Sequence, residues 1–175
     1  QLKLGMENLY ALNKLSAMDV IETGTSLTLG ADYSYKNRSD FEKFNLSVGQ
    51  VFNLENNPDM STQSSLNQKT SELVGSLNYN LSEFSKVGYK FSLDRNYNDL
   101  NYNEISGIFK INKLVTSFEY LEENNHIGDA HYLNAGLTFE LDQFNSLKFT
   151  TRENFQTSAT EFYNLSYQYE NDCLR

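Results

Sequence analysis

The chain contains a single proline, Pro58, so extended segments can run unbroken over most of its length. Its one cysteine, Cys173, cannot pair within the chain, leaving a free thiol or half of a bridge to another segment. No apolar run reaches the roughly 18 residues of a membrane-spanning helix. No cluster of Lys and Arg occurs and the net charge is −9, which sets nucleic-acid binding aside, because that requires a basic surface. Gln1–Tyr10 lacks the basic and apolar regions of a signal peptide, and the expectation is a chain that starts mid-protein. No Gly-x-Ser-x-Gly elbow is present and both histidines sit in or beside one loop, so no enzyme and no cofactor are expected.

Tyr and Phe are abundant, 12 of each, among Asn, Ser, Thr and Leu, a mixture that favours strands joined by polar turns. Period two dominates. Leu27, Leu29, Ala31, Tyr33 and Tyr35 alternate with Ser26, Thr28, Gly30, Asp32 and Ser34. Phe44, Leu46, Val48, Phe52 and Leu54 share one face, interrupted only by Gln50. The stripe returns at Leu73–Leu81, Val87–Leu93, Ile105–Ile111, Leu114–Tyr120, Leu133–Leu141, Leu147–Thr151 and Tyr163–Tyr169. Strict alternation means that one face meets an apolar medium and the other water. About nine strands follow, many near the roughly 9–11 residues that cross a bilayer at a tilt.

The connections centre on Lys36–Lys43, Glu55–Ser71, Ser82–Ser85, Asn96–Leu100, Asn112–Lys113, Glu123–Asp129, Asp142–Asn145 and Gln156–Ala159. From the second onward they tend to alternate long and short, as in outer-membrane barrels with long extracellular loops and short periplasmic turns. That pattern places Glu55–Ser71, Asn96–Leu100, Glu123–Asp129 and Gln156–Ala159 outside, and Cys173 on the periplasmic side, where oxidation occurs. The expected fold is an all-β, antiparallel up-and-down transmembrane barrel segment of about nine strands, part of a larger barrel. Residues 1–175 form one partial barrel domain, with a strand end plus loop in 1–24 and a meander in 25–172.

Three stretches stand out in order: Glu7-Asn8-Leu9-Tyr10-Ala11-Leu12-Asn13-Lys14-Leu15-Ser16-Ala17-Met18-Asp19-Val20-Ile21-Glu22-Thr23-Gly24-Thr25, then Ser47-Val48-Gly49-Gln50-Val51-Phe52, then Tyr167-Gln168-Tyr169-Glu170-Asn171-Asp172-Cys173-Leu174. In this order the three stretches resemble the LptD family of alphaproteobacteria, with its "LF-x-x-N/D-R-x-S-G-x-D-R" loop, "S-x-G-Q-x-[FY]" strand and "Y-x-Y-x-N-x-C" stretch. The chain departs from the pattern at Ala17-Met18, where Gly followed by a variable residue is common, and at Val20, where Arg is common. The resemblance implies an outer-membrane location and insertion of lipopolysaccharide into the outer leaflet. It also implies an LptE-like lipoprotein partner and a periplasmic bridge reached through an N-terminal domain not contained in this chain. The chain then reads as the C-terminal third of the barrel without its closing strands. The resemblance gives Cys173 a role as well, pairing with a cysteine near the N-terminal domain of the parent protein.

Some residues have a plainer reading. His126 and His131 flank a loop with Glu122, Glu123 and Asp129, but the spacing matches no tight ligand pattern, and a solvated acidic loop is expected rather than a metal site. Gly30, Gly49, Gly88 and Gly136 fall on the polar faces of their strands, positions suited to curvature or to the close approach of a plug. A porin or receptor barrel, and a soluble β-sheet binding domain, are the competing readings of the alternation alone. With open edges, the isolated segment is expected to aggregate or pair edge to edge in buffer.

Overall fold

The computed structural model describes residues 3–15, 23–62, 64–124 and 129–170. Their regular structure consists of β1 (Ser26–Lys36), β2 (Glu42–Asn53), β3 (Leu73–Ser82), β4 (Ser85–Leu93), β5 (Leu100–Ile111), β6 (Leu114–Glu123), β7 (Ala130–Glu140), β8 (Asn145–Asn154) and β9 (Ala159–Tyr169). They pair in chain order as one antiparallel sheet. The sheet is unclosed, with β1 and β9 as its two edges. This is the up-and-down order expected from the alternation. Several strands extend further than their apolar stripes; β5 begins at Leu100 rather than near Ile105, because Tyr102, Asn103 and Glu104 pair through their backbones whatever their side chains prefer.

Register aligns the stripes. Tyr35 opposes Phe44, and Phe44 opposes Tyr79. Leu77 opposes Tyr89, which opposes Ile105, which opposes Tyr120, which opposes Leu133. Phe139 opposes Leu147, and Leu147 opposes Tyr167. One face of the sheet is therefore continuously apolar and aromatic, and it is bare: Leu29 is 53% exposed, Leu137 46% and Leu165 67%. In water such a face would be strongly unfavourable, at roughly 25 cal/mol for each Å² of apolar surface. Hydrocarbon removes that penalty. Gly75 and Gly107 lie on this face beneath the rings of Phe91 and Phe118, where a Cβ would collide with the aromatic carbons.

The connections divide by end. Residues 37–41, 83–84, 112–113 and 141–144 form a turn end; residues 54–72, 94–99 and 155–158 lie at the opposite, loop end, where β6 also ends and β7 begins. An Asn or Asp side chain organises many of them by accepting backbone N–H bonds. Asn37 Oδ1 takes those of Ser39 and Phe41 at 2.9 and 3.1 Å. Asp142 Oδ1 takes those of Phe144 and Asn145 at 2.8 and 3.0 Å, and these bonds hold its carboxyl below the usual aspartate range. Asn112 opens the two-residue turn in a left-handed conformation, φ 54°, which asparagine tolerates well. Tyr33, Tyr35, Phe44 and Tyr79 cluster on the apolar face at the turn end, as an interfacial aromatic belt requires.

A charge in the middle of the apolar face should be costly, whereas one on the opposite face should not. Ala135→Arg is expected to lower folding stability by about 2–4 kcal/mol, and Ser117→Arg by less than about 1 kcal/mol. Urea titration of the full-length protein in bilayers, read by the gel mobility of the folded barrel, measures the difference.

Candidate functional site on the polar face

The opposite face carries Ser34, Asn45, Asn78, Gly88, Ser106, Glu119, Asn134 and Arg152, set by the same registers. Near the loop end of β2–β5 this face is covered. Residues 3–15 form turns rather than a strand and lie against it, together with the loop 54–72. The molecule's buried apolar cluster sits in this seam: Leu4, Leu9 and Leu15 from the first segment, Met60 and Leu66 from the loop, Val51 and Val74 from the sheet.

Two glycines make room for the segment. A Cβ at Gly49 would overlap the Leu9 side chain, and one at Gly30 would overlap the Tyr10 hydroxyl. Of the four polar-face glycines suited to curvature or to the close approach of a plug, Gly30 and Gly49 meet the docked segment, whereas Gly88 and Gly136 meet only neighbouring strands. Asn8 is the knot of the segment. Its side-chain oxygen accepts from Gly5 N at 2.7 Å, and its amide donates to Lys3 O at 2.7 Å and Lys14 O at 2.6 Å. Leu4 N donates to Ser64 Oγ at 3.1 Å and so joins the segment to the loop. The segment also reaches β5, where the Lys3 ammonium lies 3.0 Å from the centroid of the Tyr102 ring. Burial pulls the Lys3 amine below the ordinary lysine range, with Glu123, Glu104 and Glu7 opposing the shift.

The loop 54–72 contains the polar run Ser61–Thr70, whose sequence carries no sign of the order found here. Asn53 holds it from the strand, donating its side-chain amide to Leu66 O at 2.9 Å and Gln68 O at 2.7 Å. Gln50, which interrupts the apolar stripe of β2, is satisfied there. It donates to Ser71 O at 2.9 Å and accepts from the Tyr97 hydroxyl at 2.9 Å. Glu72 is fully buried at the end of the loop, accepting from Ser92 Oγ and Asn101 Nδ2, both at 2.6 Å. Burial nevertheless raises its carboxyl above the ordinary glutamate range, although those two bonds act the other way.

Beyond the cover the polar face is open. A groove of about 710 Å³ runs from β4 to β9. Lys90 pairs with Glu104 at 3.2 Å. Further along, Asn134 donates to Glu119 at 3.1 Å and accepts from Arg152 Nε at 2.7 Å. Arg152 also meets Glu161 at 3.4 Å, and its guanidinium stands 4.6 Å from the centre of the Tyr132 ring.

The remaining sequence candidates separate. His131 Nε2 lies 2.8 Å from the Tyr120 hydroxyl, on the apolar side with Glu122, and packs on Phe155 at 4.8 Å. Glu123 opposes Tyr102 on the polar side, so alternation splits the acidic residues of this loop between the two faces. His126 and Cys173 lie outside the described residues.

A sheet with a bare apolar face, an aromatic belt, a water-facing polar face and short turns opposite longer loops defines part of an outer-membrane β-barrel wall. The family model described as LPS transport system D, LptD, matches residues 1–169, and the chain belongs to that family. This makes it an outer-membrane protein of lipopolysaccharide transport; the match speaks for the family and not for a branch of it. No curated protein matches the chain.

Leu9→Ala should loosen the docked segment by about 2–5 kcal/mol, and Gly49→Leu should expel it. Hydrogen exchange of residues 3–15 in the full-length protein checks both, with the strand amides as internal control. The raised Glu72 pKa adds a pH dependence. Stability from this group is fully present below the ordinary glutamate range and is lost as pH rises through the raised value. Protection factors in residues 54–72 should therefore be higher at about pH 4 than at about pH 8, a difference that Glu72→Gln removes.

Proposed function

We propose that this chain forms a stretch of wall in the translocon that inserts lipopolysaccharide into the outer leaflet. Its apolar face contacts lipid, and its polar face contributes to the lumen. The observation that carries this reading is the family match, which spans all nine strands and the segment folded against their polar face. The loop end faces the cell exterior and the turn end the periplasm, a sidedness supported by the greater length of residues 54–72, 94–99 and 124–129 against 83–84 and 112–113. An LptE-like lipoprotein occupies the lumen, and a periplasmic Lpt bridge delivers the lipid through an N-terminal domain of the parent protein. The work is transport rather than catalysis. Cys173 would lie just beyond the turn end of β9, in the oxidising compartment, as a disulfide partner for a cysteine near that N-terminal domain.

Depletion of the parent protein in its own host should stop newly made lipopolysaccharide from reaching the cell surface, and the full-length gene should restore it. Surface lipopolysaccharide that persists unchanged through complete depletion would refute the translocon reading. Cys173→Ser should abolish one non-reducible-to-reducible mobility change of the full-length protein on gels while leaving β1–β9 folded.

A further inference from the structure

We propose that the seam between residues 3–15 and β3–β5 is a receptor for a small organic cation, a primary amine with a short apolar body, and that Lys3 is its resident occupant. This ligand is distinct from the transported glycolipid, and the site stands whether or not the chain transports it. The Lys3 ammonium sits 3.0 Å from the centroid of the Tyr102 ring, far closer than Lys43 over Phe41 at 5.0 Å or Lys110 over Phe84 at 5.9 Å. Tyr102 is buried, and its hydroxyl donates to Glu104, which fixes the ring. The carboxylates of Glu123, Glu104 and Glu7 all attract the same ammonium, and Lys90 opposes them. An aromatic face ringed by carboxylates is the chemistry that recognises an ammonium group.

Most of this cage belongs to the sheet, and its occupant does not. Tyr102 and Glu104 lie on β5 and Glu123 ends β6, whereas Lys3 arrives with a segment of turns that Asn8 holds at Lys3 O and that Leu4 N joins to Ser64 Oγ. The lysine is therefore exchangeable for another cation. With Lys3 gone, Lys90 alone faces three carboxylates, and its own contact is with Glu104 at 3.2 Å. Such a site attracts a cation and repels phosphate. Room for the rest of the ligand adjoins the cage. A cavity of about 230 Å³ opens between the segment and the strands, with Leu4 and Met6 on one side and Ser76, Asn78, Lys90 and Tyr102 on the other. Its apolar side suits a short alkyl chain, and its polar side leaves the ammonium near water and the cage. An amine from solution thus competes with Lys3 for the ring and lifts the end of the segment that Lys3 anchors.

The test uses the full-length protein folded in detergent, n-butylammonium as the probe, and hydrogen exchange of residues 4–15 as the readout, with the amides of β3–β5 as control. Lys3→Ala should speed that exchange about 2- to 30-fold, the factor a cation–π contact is worth. The amine, supplied above the roughly millimolar effective concentration of a tethered group, should then act with opposite signs in the two proteins. It slows exchange in Lys3→Ala, where it bridges Glu7 of the segment to Glu104 and Glu123 of the strands, and it speeds exchange in the wild type, where it displaces Lys3. 1-Butanol, which has the chain without the charge, should do neither, and Tyr102→Leu or Glu104→Gln should weaken both effects. Rescue of Lys3→Ala by 1-butanol as complete as that by the amine would overturn the proposal, because volume rather than charge would then fill the site. Unchanged exchange in Lys3→Ala, no response of either protein to the amine, or full responses that survive in both cage variants would overturn it as well.

Discussion

Backbone pairing in register is the constraint on which everything else in this molecule depends. In a bilayer each N–H and C=O needs a protein partner, and strands satisfy that need only through their neighbours. Because side chains alternate, a shift of one residue between any two strands would turn the apolar stripe of one of them into the lumen. The observed registers from Tyr35–Phe44 to Leu147–Tyr167 keep nine stripes on one side. Where the register slips, at Tyr35/Lys36, Asn80/Ser82, Ser92/Leu93 and Arg152/Glu153, it does so near strand ends, where alternation no longer has to match hydrocarbon.

The same constraint frees the other face for function. Side chains on it are not needed to meet lipid, and the chain uses them in two ways. Gly30 and Gly49 give up their side chains so that Tyr10 and Leu9 can sit against the strands, and the resulting seam forms a small apolar core on an otherwise polar surface. Further round, charged and amide groups join one another across strands and leave the surface open. A barrel wall thus acquires a sealed sector and a hydrophilic one from a single sheet. Lys3 against Tyr102 and Glu72 against Ser92 and Asn101 mark the border between them.

Much of this was legible from sequence because period two is a strong signal when one face meets lipid. Strand number and order followed from it, and the division between turns and loops from the lengths of the connections. Leu27–Tyr35 matches its strand to within one residue at each end and Leu133–Leu141 to within three. Legibility failed where local pattern carries no information. Ser61–Thr70 looks like solvated loop, yet Ser64 and Leu66 are buried, because their partners Leu4 and Asn53 are distant or outside the tract. Gln50 looks like a defect in a stripe and is instead the acceptor for Tyr97, which arrives from the β4–β5 turn. The groove was missed for a similar reason. Glu104, Asn134 and Arg152 are ordinary polar residues on three strands, and only register makes them neighbours.

The central claim is the assignment of the two faces, lipid on one side and water on the other, and cysteine scanning along β7 tests it most directly. Single cysteines from His131 to Phe139 would be placed in full-length protein carrying Cys173→Ser, in native membranes, and probed with a charged, lipid-insoluble thiol reagent. The account predicts alternation: Tyr132, Asn134, Gly136 and Thr138 positions react, while Leu133, Ala135 and Leu137 positions resist and are instead quenched by lipid-borne labels. Equal reaction along the whole strand would contradict it, because β7 would then have water on both faces.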